Sequence, residues 1–311
     1  MNKPVILVVA GPTAVGKTAF AIELAKRFNG EIVSCDSMQL YKYMDIGSAK
    51  PNAQERQMAV HHLVDCIDPR DDFSVADYQK MALETIDDIT SRGKLPVIAG
   101  GTGLYLNSIL YDMDFADAPK DDEYRMELKK IAESENPQIL HEMLEEKDPY
   151  AAELIHPNNH KKIIRALERL NTGEEHIHQF SDIVAENSSF SPILLGLTRD
   201  REELYQRINT RVDLLFDAGL VEEVKKLMDM GLDSDDISMK GIGYKEVIDY
   251  LNGNITVDES VELIKKNTRH YAKRQLTWLR RYDKMYWANL SEYLNDNEAL
   301  EEITKWVSRK L

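Results

Sequence analysis

Gly11-Pro12-Thr13-Ala14-Val15-Gly16-Lys17-Thr18 is a complete G-x-x-x-x-G-K-T loop, and the chemistry such a loop does is phosphate capture. Its glycines let backbone N–H groups curl around phosphate oxygens at a helix N-terminus, where the helix dipole is positive. Lys17 adds a mobile cation, and the Thr18 hydroxyl offers a ligand to Mg²⁺. The segment predicts a site for a di- or triphosphate.

Other residues could work beside it. Asp36, in Asp36-Ser37-Met38-Gln39, could hold magnesium through water, accept a proton as a general base, or cap a following helix. Ser37 and Gln39 can read the hydrogen-bonding edges of a substrate. In Gly100-Gly101-Thr102-Gly103, Thr102 is the one side chain able to reach into a site. Arg201, Arg207 and Arg211 either clamp a phosphate that grows more negative as it leaves or decorate an exposed, ion-paired helix. Lys266, Arg269, His270 and Lys273 recur at helical spacing as a basic stripe, with Val261, Ile264, Thr268, Tyr271, Gln275 and Trp278 towards the other side. That stripe is either a solvated face or a surface for an RNA backbone. His61-His62 lacks further ligands at zinc spacing and reads as internal hydrogen bonding.

Elements must position these groups. Apolar runs at 5–10, 31–34, 96–99, 193–198 and 284–288 alternate with helical stretches, which predicts an α/β domain with a mainly parallel sheet. The phosphate loop, Asp36 to Gln39 and the Gly100–Gly103 turn then fall at the carboxyl ends of strands, where such sheets bind ligands. Between 113 and 190 the strand pattern lapses. That stretch carries Pro119, Pro137, Pro149 and Pro157 and packs Leu140, Met143, Leu144, Ile155, Ile163, Ile164 and Leu167 at helical spacing. It reads as a helical insertion, leaving 1–112 and 191–311 as the core. A long helix is expected from Glu259 to Arg281.

The formal charge of −15 over 311 residues argues against a partner held by bulk electrostatics. The charge is uneven, however. Asp112 to Glu153 holds 14 acidic side chains against 5 Lys and Arg, whereas Glu262 to Lys284 holds 8 Lys and Arg against 2 acids. Only Cys35 and Cys66 occur, too few for a disulfide framework or a cysteine-rich zinc site. With no apolar run of membrane length and no visible targeting segment, a cytoplasmic, membrane-free protein is expected.

The assembly resembles the tRNA dimethylallyltransferases. Gly11 to Thr18, Asp36-Ser37-Met38-Gln39-Leu40-Tyr41, Asp45-Ile46-Gly47-Ser48-Ala49-Lys50-Pro51 and His61-His62-Leu63 are similar to successive blocks of that family. So are Gly100-Gly101-Thr102-Gly103-Leu104-Tyr105, Ile164-Arg165-Ala166-Leu167-Glu168, Gly241-Ile242-Gly243-Tyr244-Lys245 and Thr268-Arg269-His270-Tyr271-Ala272-Lys273-Arg274-Gln275. The resemblance implies a P-loop-kinase-like parallel sheet flanked by helices, with a helical insertion that grips the anticodon stem-loop. The implied reaction moves a dimethylallyl group from its diphosphate to N6 of the adenine 3′ of the anticodon (position 37), with Mg²⁺ as cofactor and a monomer as the expected state.

By the same resemblance Asp36 is the base, and Thr13, Lys17, Thr18 and Arg207 hold the diphosphate and its magnesium. Asp36, Ser37, Met38, Gln39, Thr102, Arg125 and the 160–164 segment (His160, Lys161, Lys162, Ile163, Ile164) contact tRNA, joined by the stripe of Lys266, Arg269 and Lys273. His160-Lys161-Lys162 departs from the Arg or Gln many relatives carry, though it stays cationic. Three rivals fit parts of the pattern: a small-metabolite kinase, a nucleotide-dependent switch, and a prenyltransferase acting on free adenine nucleotide.

Overall fold

The apolar runs become strands of one parallel sheet. The computed structural model describes residues 3–113, 122–134, 136–172 and 185–311, leaving Pro119 outside. Its strands are β1 (Val5–Ala10), β2 (Gly30–Cys35), β3 (His61–His62), β4 (Leu95–Gly100), β5 (Ser191–Thr198) and β6 (Tyr286–Asn289). They run in the order β3-β2-β4-β1-β5-β6, every neighbouring pair parallel. β3 was not expected, because two residues are too few for a periodic signal. It forms where His61 and His62 pair with Ile32 and Val33.

Covered on both faces, the central strands are apolar at successive positions rather than alternate ones. Leu7 and Val9 of β1 pack in one core cluster with Val97 and Leu195, and with helices α1 (Lys17–Arg27), α9 (Arg201–Asp217) and α13 (Asp296–Ser308). Ile6 and Val8, which alternate with them, are equally buried. The remaining helices before the insertion are α2 (Ala53–Met58), α3 (Val75–Ser91) and α4 (Gly103–Leu110).

Beyond α9 come α10 (Leu220–Asp229), α11 (Tyr244–Leu251) and α12 (Val257–Leu279). They share a second core with Tyr41 and Met44 of the loop after β2. Several helices start on side-chain caps written in the sequence. Ser74 with Asp77 opens α3, and Thr256 with Glu259 opens α12; each residue accepts from the other's backbone amide. Such caps are worth about 1 kcal/mol each.

Contacts among the described residues divide the chain into Met1–Leu110 with Asn187–Leu311, and Tyr111–Glu186. The second unit contains α5 (Asp122–Ala132), α6 (Ile139–Lys147), α7 (Pro149–Leu154) and α8 (His160–Asn171). It has its own core of Leu128, Leu140, Leu144, Ile163 and Leu167. Pro149 occupies the first turn of α7 behind the cap Asp148, where a missing N–H costs nothing.

Candidate active site

The loop from Gly11 to Gly16 leaves β1 and turns into α1. Gly16 sits at φ 114°, a conformation that a side chain would strain, and so it lets Lys17 start the helix. The first-turn amides of α1 lack intrahelical acceptors and suit an anion. Not all of the loop faces that way. The amide of Thr13 donates to Gln275 Oε1 at 2.9 Å, so it belongs to a contact with α12 and not to a phosphate cradle.

Lys17 lies beside the loop, its Nζ donating to the Pro12 carbonyl at 2.8 Å. Burial lowers its pKa to about 8; Asp36 pulls it back up, and Arg211 pushes it down. Arg207 is exposed, and its Nε donates to the Ala14 carbonyl at 2.9 Å. Arg211, one turn on along α9, is more enclosed, and burial lowers its pKa against the pull of Asp36 and Glu55. Arg199 braces the loop from behind. It is buried and donates to the Val15 carbonyl at 3.0 Å, to Glu203 at 2.6 Å and to Asp296 at 2.6 Å.

Asp36 follows β2. Its Oδ1 accepts from the Met38 amide at 2.9 Å, which fixes the carboxylate on the turn. The Ser37 amide donates to the Thr102 hydroxyl at 3.2 Å, tying the turn after β2 to the turn after β4. Tyr271 of α12 faces the same place. Its phenol is pushed up to about 12, first by burial and then by the charge of Asp36, with the Thr102 hydroxyl acting the other way. Gln39 is engaged within the fold, accepting from Ser34 Oγ at 2.9 Å and donating to the Ala49 carbonyl at 3.4 Å. Burial pushes the neighbouring Cys35 thiol up to about 12, so it stays protonated and is no nucleophile.

One cavity of about 620 Å³ is lined by Thr13, Lys17, Thr18, Asp36 to Gln39, Arg211, Tyr271 and Arg274 among others. Thr102 and Arg207 are not in its lining, and Arg207 borders a separate hollow with Ala14, Gly16 and Arg211. Ile208, Val212 and Leu215 of α9 and Ile264 of α12 give it an apolar wall. Gly47, Ser48 and Ala49 form another part of the lining, and their loop is clamped from α10. The Glu223 carboxylate accepts from the amides of Asp45, Ile46 and Gly47 at 2.7–3.0 Å and from the Tyr244 hydroxyl at 2.8 Å. Lys50 is structural too, its buried ammonium bonding the Tyr41 carbonyl, Asp45 and Asp65. His62 bonds the buried Glu31 at 2.7 Å and His61 Nδ1 the Ala59 carbonyl at 2.9 Å, while His61 Nε2 is buried without a hydrogen-bond partner.

Among the described residues no group of three or more His, Cys, Asp or Glu side chains is assembled to hold a metal. Mg²⁺ does not require one, because it keeps several waters and takes one or two protein oxygens beside substrate phosphates. Thr18 and Asp36 both line the cavity next to Lys17. The residues present therefore fit a diphosphate-bound Mg²⁺.

The other expected contact residues lie on α12 and on the inserted unit. On α12, Lys266, His270 and Lys273 are exposed. Arg269 is half-buried and donates to Asn209 at 2.6 Å. In the inserted unit Lys161 and Lys162 are exposed at the start of α8, with His160 half-buried. Arg125 is paired in a fork with Glu168. Ile163 and Ile164 of the same segment are core residues of α8, packed with Leu140 and Leu144. Sequence reading passed over Arg199 and Glu223 and gave Gln275 no role beyond its helix face, because their partners Val15, Asp45 and Thr13 lie more than a hundred residues away. The block ending in Gln275 was the only signal for any of them.

Known proteins resemble this chain over nearly its whole length. A family model described as IPP transferase matches residues 39–282. A tRNA dimethylallyltransferase of Acetivibrio thermocellus is 48% identical over 308 residues, 97% of either chain. One of Alkaliphilus oremlandii is 49% identical over 300 residues, 96% of either chain. The crystal structure of full-length tRNA isopentenylpyrophosphate transferase from Bacillus halodurans superposes with a TM-score of 0.75 at 43% identity, covering 99% of this chain and 97% of that one. That of a eukaryotic dimethylallyltransferase acting on tRNA gives 0.82 at 29% identity, covering 98% of this chain and 80% of that one. This chain belongs to the IPP transferase family of tRNA dimethylallyltransferases.

Proposed function

We propose that this enzyme transfers the dimethylallyl group of dimethylallyl diphosphate to N6 of the adenine next to the anticodon on its 3′ side (position 37). The carrying observation is a single cavity lined both by the phosphate loop and by Asp36. N6 attacks C1 of the donor, the C1–O bond breaks, and its electron pair leaves on the diphosphate. The proton of N6 passes to Asp36. An adenine amine is a weak nucleophile because its lone pair is delocalised into the ring, and a positioned base supplies about 10²–10⁴-fold.

Lys17, Arg207 and the first amides of α1 meet the growing charge of the leaving group, and Thr13 sits by the bridging oxygen. Thr18 would hold Mg²⁺, which would supply Lewis-acid neutralisation of the diphosphate. Ile208, Val212, Leu215 and Ile264 enclose the dimethylallyl group. The adenine must leave its stack, at a cost of a few kcal/mol.

Ser37, Met38, Gln39 and Thr102 border the adenine. Lys266, Arg269 and Lys273, with Arg125, His160, Lys161 and Lys162 of the inserted unit, meet the anticodon stem-loop. The two unbridged cysteines fit a reducing compartment such as the cytoplasm. Incubation with Mg²⁺, dimethylallyl diphosphate and unmodified tRNA, followed by digestion and mass spectrometry, should yield N6-dimethylallyladenosine. Phosphate transfer from ATP in place of that product would select the kinase reading, and free AMP preferred over tRNA would select the nucleotide prenyltransferase.

A further inference from the structure

We propose that Gln275 is a positioning residue that sets the register between the donor side and the acceptor side of the active site. The proposal rests on the transferase reading above. Gln275 is 6% exposed and uses both ends of its amide. Oε1 accepts from the Thr13 amide at 2.9 Å, and Nε2 donates to the Gly101 carbonyl at 3.0 Å. The partners fix the orientation, since an N–H needs the oxygen and a carbonyl needs the amide nitrogen.

Three segments distant in sequence thus meet at one side chain. Thr13 belongs to the loop that faces the diphosphate. Gly101 precedes Thr102, whose hydroxyl accepts from the Ser37 amide next to Asp36. The junction has no slack. A Cβ on Gly101 would come within 2.2 Å of Gln275 Nε2 and 2.9 Å of the Gly11 carbonyl oxygen.

Helix α12 holds Gln275 against movement. Tyr271, one turn earlier, lines the cavity, and Trp278, one turn later, lies against Gly103. Ala10 and Gly100 stay paired between β1 and β4, but without the amide the loop beyond Gly11 loses its tie to the turn after β4. Transfer is sensitive to that loss, because a near-attack arrangement requires reacting atoms about 3–3.5 Å apart and a 1 Å error costs about 10²-fold.

Gln275→Met preserves length and loses both hydrogen bonds. Gln275→Glu keeps the acceptor for Thr13 but, when ionised, opposes the Gly101 carbonyl; burial favours its neutral form. Once protonated, the carboxyl donates to Gly101 and accepts from Thr13, restoring the native pattern. In single-turnover transfer with saturating substrates, both variants should fall by about 10- to 100-fold at about pH 8.5. Affinity for tRNA should stay within about twofold of wild type.

The rate of the Glu variant relative to wild type should climb several-fold as pH falls to about 6, while the Met ratio stays flat. A residue with only a structural role would lower tRNA affinity and the folded fraction along with the rate. If the Met variant fails to fold, the Glu variant carries the test through its pH profile. A Met variant within about twofold of wild type, or a Glu ratio independent of pH, overturns the proposal. Failure of the wild-type protein to prenylate tRNA would instead overturn the transferase reading on which it stands.

Discussion

Asp36 owes its orientation to a hydrogen bond that a neutral amide can also make. Asp36→Asn keeps an oxygen for the Met38 amide while removing the base. Transfer should fall by about 10²–10⁴-fold with tRNA affinity within a few-fold of wild type, measured by single-turnover rates and filter binding. Near-normal turnover would remove Asp36 from the proton path. Lys17 gives a second reading at this scale. Its ammonium loses its charge as pH rises through about 8, so affinity for dimethylallyl diphosphate should decline above that pH. Lys17→Arg stays charged, and calorimetry across the range should show its affinity relative to wild type rising with pH. At the level of single residues the sequence revealed the groups that carry charge at the loop and at Asp36. It did not reveal how the Thr13 amide is used, because that depends on a helix more than two hundred residues away.

Helix α12 presents two faces with different work. Lys266 and Lys273 stand in solvent, whereas Ile264, Ala272 and Gln275 are buried. Lys266→Gln with Lys273→Gln should weaken tRNA binding and flatten its salt dependence, with a slope smaller by about 1–2 for the two phosphates released. An unchanged slope would make the stripe a solvated face only. Its extent was legible to within two residues, Glu259 to Arg281 against Val257–Leu279, and its two faces in a repeat of three and four. Other elements were not. β3 is too short to show a period, and Ile163 and Ile164 look alike as part of a contact segment or of a core until α8 is packed.

At the scale of the molecule, the inserted unit and the sheet unit have separate cores. Leu167→Ala, in a fully buried position of α8, should cost the inserted unit about 2–5 kcal/mol. Hydrogen exchange should then quicken across α5–α8 while amides of β1, β4 and β5 stay protected and diphosphate affinity is unchanged. Uniform loss of protection would mean that the two units unfold together. The alternation of strands and helices, and its lapse after residue 112, were readable because apolar periodicity is local. The clasps that assemble the site are polar and long-range, and no local pattern encodes them.

Arg199 gives the last helix an importance its position hides. The guanidinium that supports Val15 is neutralised in part by Asp296, at the start of α13. Shortening the protein before residue 296 would leave that cation without one of its two carboxylates, beside the turn that leads into α1. A C-terminal truncation that spares every cavity-lining side chain would therefore still loosen that turn, and tags or fusions are better joined beyond Ser308 than in place of this helix.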